Sequence, residues 1–253
     1  MKEAIKRILA NCLAVICILT SASNKEPNEV KYQSLGIEQG TYLQTYVNEE
    51  IDYYLDYYLY VPDKAVKNMP LIVFLHGDGV VNKLDQLENH GLIQSVKEIY
   101  GEGFPFLVLS PCTRTASWIK YGIPETLKKL IDDVVEKYSI NVDKIIITGH
   151  SRGAIGVWHM IGEYGDYFSA AVPVSCSNET NLNVENMKNV PIWALVGGGY
   201  NDYNTYGKML DIIEGIINKY DGNCTVTVVG TYNHGDMATA GYTKEVLEWM
   251  LEQ

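Results

Sequence analysis

Six short apolar runs constrain this chain more than any other feature. They are Leu71–Leu75 (LIVFL), Pro105–Leu109 (PFLVL), Lys144–Thr148 (KIIIT), Ala170–Val174 (AAVPV), Pro191–Val196 (PIWALV) and Cys224–Val229 (CTVTVV). Near-continuous apolar strands of this length are expected where helices cover both faces of a parallel sheet. Helical patterns separate them. In Pro124–Tyr138 the residues Leu127, Leu130, Ile131, Val134 and Val135 form one stripe, and further helices are expected near Val157–Tyr164, Tyr206–Tyr220 and Thr243–Leu251. Alternation of strand and helix predicts an α/β fold with a mostly parallel, doubly wound sheet. Upstream, Ile51–Val61 (IDYYLDYYLYV) alternates with period two. This predicts a strand with Ile51, Tyr53, Leu55, Tyr57, Leu59 and Val61 on its single buried face, ended by Pro62. With Gly40–Val47 before it, an N-terminal antiparallel hairpin is expected.

The length, 253 residues of which 47% are hydrophobic, suits one large core. Residues 36–253 are expected to form one domain and 24–35 a flexible lead-in. Residues 1–23 have the pattern of a signal peptide: Lys2, Lys6 and Arg7, then the apolar Ile8–Thr20, then Ser21-Ala22-Ser23. Their removal would leave 17 basic and 30 acidic residues, about −13. An acidic chain without a basic stripe is not expected to bind nucleic acid. The expected location is secreted, cell-surface or periplasmic, with no membrane attachment once the signal is gone. Cys112, Cys176 and Cys224 then remain, an odd number without metal-type spacing. A Cys112–Cys176 bridge is not expected, because their strands are not adjacent in the usual order.

In open parallel sheets, sites form at the carboxyl ends of strands, so the residues just after each run carry the most information. After LIVFL comes His76-Gly77-Asp78-Gly79; after KIIIT, Gly149-His150-Ser151-Arg152-Gly153; after PIWALV, Gly197-Gly198-Gly199-Tyr200-Asn201-Asp202; after CTVTVV, Gly230 to Asp236 with His234. A serine, an aspartate and a histidine after successive late strands have the chain order of an α/β-hydrolase. A serine hydroxyl needs a neighbouring neutral imidazole to become a nucleophile at neutral pH. Ser151 is the candidate nucleophile and His234 the candidate base. The backbone N–H groups of Arg152, at a helix start, and of Asp78 are the candidate oxyanion donors, with the Asp78 carboxylate turned away. His76 is expected to brace its loop, while His90 and His159 fall on helical stretches where a lone histidine is ordinary surface or core.

The chain resembles α/β-hydrolase esterases of the polyhydroxybutyrate-depolymerase, feruloyl-esterase and phospholipase/carboxylesterase-like branch. The matching pieces are YYLYVP, LIVFLHGDG, LSPCTRTASW, IIITGHSRGA, PIWALVGGGYND and YNHGD. The resemblance implies the α/β-hydrolase fold with helices on both faces and a Ser-His-Asp serine esterase without metal or cofactor. It implies a substrate that is a small carboxylic or aromatic acid ester, including acylated plant polysaccharide. It places Trp118 at the rim of the site and His150 beside the nucleophile, both as substrate-binding candidates. The family's acid position falls on or near Tyr200, so Asp202 is the nearest carboxylate; its other expected role is a helix N-cap. Asn201 is second choice and Asp236 an outsider. A serine peptidase on the same fold and a non-catalytic binding protein stay open as alternatives, and the oligomeric state is not assigned.

Overall fold

The computed structural model describes residues 37–177 and 182–253. The expected signal peptide and lead-in lie outside the described residues. Eight strands form one sheet: β1 (Gly40–Asn48), β2 (Tyr53–Val61), β3 (Leu71–Leu75), β4 (Leu107–Cys112), β5 (Ile145–His150), β6 (Ala170–Val174), β7 (Ile192–Gly197) and β8 (Cys224–Val229). Their order is β1-β2-β4-β3-β5-β6-β7-β8. The β1–β2 hairpin and the β2–β4 pair are antiparallel; all later pairs are parallel. The expected architecture is therefore present.

The main helices are α1 (Leu92–Tyr100), α2 (Ile123–Tyr138), α3 (Arg152–Glu163), α4 (Lys208–Lys219) and α5 (Lys244–Glu252). The strand period sorts side chains to two cores. Leu71, Val73 and Leu75, with Ile145 and Ile147, face α2, α3 and α4; Ile72, Phe74 and Ile146 face α1 and α5. Each helix contributes one apolar stripe, as in α2, where Leu127, Leu130, Ile131 and Val134 are buried.

Two local expectations are corrected. Strand β2 is covered on both faces in its second half, because Tyr58 and Tyr60 join the α1/α5 core. A tyrosine on the face assigned to solvent keeps its ring buried and bonds outward, here from Tyr60 Oη to the Leu87 carbonyl at 3.5 Å. Strand β8 is an edge strand with alternating exposure, including Val228, so its threonines point partly to solvent. Helix α3 begins at Arg152, as its assignment to a helix start expects, and the apolar pattern near Val157–Tyr164 is its later part; it springs directly from the turn that holds Ser151. Gly153 and Gly156, poor helix formers, weaken the apolar pattern over its first turns.

Candidate active site

Sheet order reverses at β3: β4 lies to one side of it and β5 to the other. A crevice opens outside the carboxyl ends of strands at such a switch point. The loops after β3 and β5 carry His76-Gly77-Asp78 and Ser151 into it.

Ser151 has φ 58° and ψ −120°, a conformation that disfavours any side chain and costs about 1–3 kcal/mol. The turn is held from below. A Cβ on Gly153 would lie 1.9 Å from the Leu75 carbonyl oxygen, and one on Gly149 would lie 2.7 Å from it. Only glycine lets α3 and β3 approach so closely, and the result projects the serine hydroxyl clear of the sheet.

His234 Nε2 is 2.8 Å from Ser151 Oγ, and His234 Nδ1 is 2.8 Å from Asp202 Oδ1. A neutral imidazole satisfies both contacts in one tautomer: Nδ1–H donates to the carboxylate and Nε2 accepts the serine hydroxyl. Asp202 is 1% exposed, and its Oδ2 accepts from Ser175 Oγ at 2.7 Å and from the Gly197 N–H at 2.7 Å. Burial by itself would raise the Asp202 pKa; the hydrogen bonds from His234, Ser175 and Gly197 outweigh it and hold the carboxyl below its ordinary value. Asp202 stands at the N-cap position of the π-helical turn Tyr203–Gly207, but its carboxylate makes no capping hydrogen bond there, being engaged by His234, Ser175 and Gly197 instead. Asn201 is exposed, and Asp236 accepts from the Asn233 N–H at 3.1 Å. Neither reaches His234 among the described contacts.

Three consecutive glycines bring Asp202 and His234 together. Added Cβ atoms on Gly197, Gly198 and Gly199 would lie 2.2, 2.0 and 2.6 Å from atoms of the loop Gly230–Asn233. The Gly199 N–H donates to the Tyr232 carbonyl at 2.9 Å, tying the acid loop to the base loop. A π-helical turn, Tyr203–Gly207, comes between Asp202 and α4. It sets the Tyr206 ring 5.0 Å from His234, while His150 packs 4.9 Å away and donates from Nε2 to the His234 carbonyl at 2.7 Å. His234 is thus held at its backbone by His150, at its ring by the Asp202 carboxylate, and against the rings of His150 and Tyr206.

The oxyanion candidates are arranged by His76. Its Nδ1–H donates to the Gly77 carbonyl at 2.8 Å and its Nε2 accepts from the Thr113 N–H at 3.1 Å. The Gly77–Asp78 peptide is planar, so fixing its carbonyl aims the Asp78 N–H the opposite way. A Cβ on Gly77 would lie 3.2 Å from Ser151 Cβ, which places this peptide beside the nucleophile. The Arg152 N–H, in the first turn of α3, has no acceptor within its own helix. The Asp78 carboxylate turns to Arg152 Nε at 3.4 Å in a half-exposed pair. Desolvation lowers the pKa of His76 and of His150 to about 4, the latter also by the nearby His234 ring, so both rings are neutral at pH 7.

Trp118 is corrected. It is 3% exposed and packs over Gly156, with Nε1 donating to the His76 carbonyl at 2.9 Å. It braces the back of the His76 loop and lines no part of the cleft. The cleft, about 490 Å³, is lined by Ser151, His234, Asp78, Arg152 and His150, and also by His90, Ile155, Cys176 and Tyr206. Sequence reasoning does not single out Ser175, His90 or Tyr206 as site residues. Of these, Ser175 alone carries a signal, its place directly after a buried strand. Cys112, Cys176 and Cys224 are all buried, and no disulfide joins Cys112 to Cys176. Among the described residues no cluster of His, Cys, Asp and Glu fits a metal, and no helix is long and apolar enough to cross a membrane.

A sheet of this order, with serine, aspartate and histidine meeting beyond β5, β7 and β8, is the α/β-hydrolase fold, and this chain has it. The solved structures it is similar to include esterases. A thermostable esterase superposes with TM-score 0.68 at 24% identity, over 84% of this chain and 63% of that one. A mutant feruloyl esterase module from Clostridium thermocellum, complexed with sinapinate, superposes with TM-score 0.61 at 15% identity, over 84% and 91%. In sequence, the bifunctional acetylxylan esterase/xylanase XynS20E of Neocallimastix patriciarum is 25% identical over 169 residues, 65% of this chain. The match spans 23% of that relative's length. No family model matches the chain.

Proposed function

We propose that this chain is a serine esterase acting on carboxylic esters of small or aromatic acids, including acyl groups carried by plant polysaccharide. The carrying observation is the relay Ser151 Oγ···His234 Nε2 and His234 Nδ1···Asp202 Oδ1, both at 2.8 Å. In this reading Ser151 attacks the ester carbonyl as its proton passes to His234, and Asp202 stabilises the imidazolium. The N–H groups of Asp78 and Arg152 stabilise the oxyanion; losing one such donor costs about 10²–10³ in rate. His234 protonates the departing alkoxide. Water, deprotonated by the same ring, then attacks the acyl-serine, and the acid leaves. The acetylxylan and feruloyl esterases similar to this chain support the acyl classes. We further propose export, on Lys2, Lys6 and Arg7 preceding the apolar Ile8–Thr20.

The test is hydrolysis of 4-nitrophenyl acetate, with aminoacyl amides beside it, and labelling by a fluorophosphonate probe. The native protein is expected to cleave the ester in preference to the amides and to be labelled, and Ser151→Ala to lose both. Near-normal hydrolysis by Ser151→Ala ends the proposal; preference for the amides makes the chain a peptidase.

A further inference from the structure

Three imidazoles, His90, His150 and His234, line the cleft, and a fourth, His76, is buried behind the Gly77–Asp78 loop. His76, His150 and His234 are each tied by the hydrogen bonds described above. His90 lines the same cleft, half-buried, and no hydrogen bond joins it to another described residue. Its backbone is nonetheless fixed. The next residue, Gly91, has φ +61°, and a Cβ there would lie 2.6 Å from Phe74 Cζ and 3.2 Å from the Ala238 carbonyl oxygen. A polar ring that faces a cleft from a fixed stretch of backbone, with no hydrogen-bond partner among the described residues, is available to a ligand there.

The two walls of the cleft differ in chemistry. Ile155 and Cys176 pack together with Ala154 and form an apolar wall. His90 lies outside that apolar cluster, in the lining shared with Ala238, His234 and Gly235, and its neighbour Gly91 approaches the Ala238 carbonyl; Asp78 and Arg152 line the same cleft. The leaving alcohol receives its proton from His234 Nε2, so it departs past the loop that carries that ring. This puts the acyl group against Ile155 and Cys176 and the alcohol beside His90. Burial depresses the basicity of the His90 ring, so at pH 7 it is neutral, offering one donor and one acceptor. A sugar hydroxyl, itself donor and acceptor, matches it.

We propose that His90 binds a hydroxyl of the alcohol half of the substrate and thereby selects esters of polyhydroxylated alcohols over those of simple ones. This rests on the esterase reading above. The experiment compares kcat/KM on an acetylated xylo-oligosaccharide and on 4-nitrophenyl acetate, which share the acyl group, and takes their ratio within each protein sample. A misfolded fraction cancels in that ratio. His90→Ala is expected to lower the ratio about tenfold, the value of one hydrogen bond, mainly through a higher KM for the sugar ester. His90→Gln, which keeps a donor and an acceptor, is expected to hold the ratio within about threefold of native. A ratio in His90→Ala within twofold of native overturns the proposal while leaving the esterase reading in place. Failure of the native protein to hydrolyse either substrate overturns the esterase reading itself.

Discussion

Replacing Asp202 by asparagine tests the site where the sequence is least regular. The carboxylate accepts three hydrogen bonds, from His234 at Oδ1 and from Ser175 and Gly197 at Oδ2. Asparagine has one oxygen and one amide nitrogen to fill those places. If the oxygen takes the Oδ2 position, it keeps both donors there, and the NH₂ faces His234 Nδ1. The imidazole must then accept at Nδ1 and carry its proton on Nε2, which leaves Ser151 without a base. In the flipped orientation the NH₂ opposes the Gly197 N–H, a buried donor left unsatisfied at about 1–3 kcal/mol. The unproductive arrangement therefore wins, and the variant also loses the negative charge facing the imidazolium. Together these effects predict a fall in kcat of about 10³–10⁴ at pH 7. KM should change little, because Asp202 does not line the cleft. Steady-state kinetics on 4-nitrophenyl acetate measures it, with Asp236→Asn as comparison. A loss below tenfold in Asp202→Asn, or an equal loss in Asp236→Asn, refutes the assignment.

The packing around the site makes two further outcomes testable. His76 and His150 are neutral in the folded protein, with pKa values near 4, but titrate near 6.5 when unfolded. Below pH 6.5 the unfolded chain takes up the protons first, so stability falls as pH drops toward 4. Between pH 7 and pH 5 this amounts to roughly 2 kcal/mol per ring. Urea denaturation at the two pH values measures it, and His150→Gln should shrink the difference by about that much; equal native stability at both would contradict the account. Gly198→Ala would place a Cβ 2.0 Å from the Gly230 carbonyl oxygen. It should separate the acid and base loops, lowering both Tm and kcat by an amount that Gly215→Ala, where the space is open, does not approach.

Much of the fold is legible because apolar periodicity reports which faces are covered. Strands β3 to β7 are buried at nearly every position, as their apolar runs indicate. Strand β2 is harder, since Tyr58 and Tyr60 read as solvent-facing in one dimension. A tyrosine looks alike in sequence whether its ring is wet or buried with an outward hydroxyl. The apolar pattern of helix α3 is visible only from about Val157, because the same glycines that permit the Ser151 turn weaken it; its start at Arg152 is read from the strand-to-helix turn instead.

By itself the sequence determined the alternation of strands and helices and the segments that end at the carboxyl edge of the sheet. It thereby put Ser151, Asp202 and His234 at that edge, since chain connectivity and strand polarity fix where each loop emerges. Tertiary structure alone decided which side chains meet there. It showed that the shifted aspartate still reaches His234, because three glycines let the two loops touch. It moved Trp118 from the expected rim to the back of the His76 loop, and it brought Ser175, Tyr206 and His90 into the site. These are contacts between segments distant along the chain. Local periodicity records whether a residue is covered but not by what, so the identity of the partner is available only once the chain has packed.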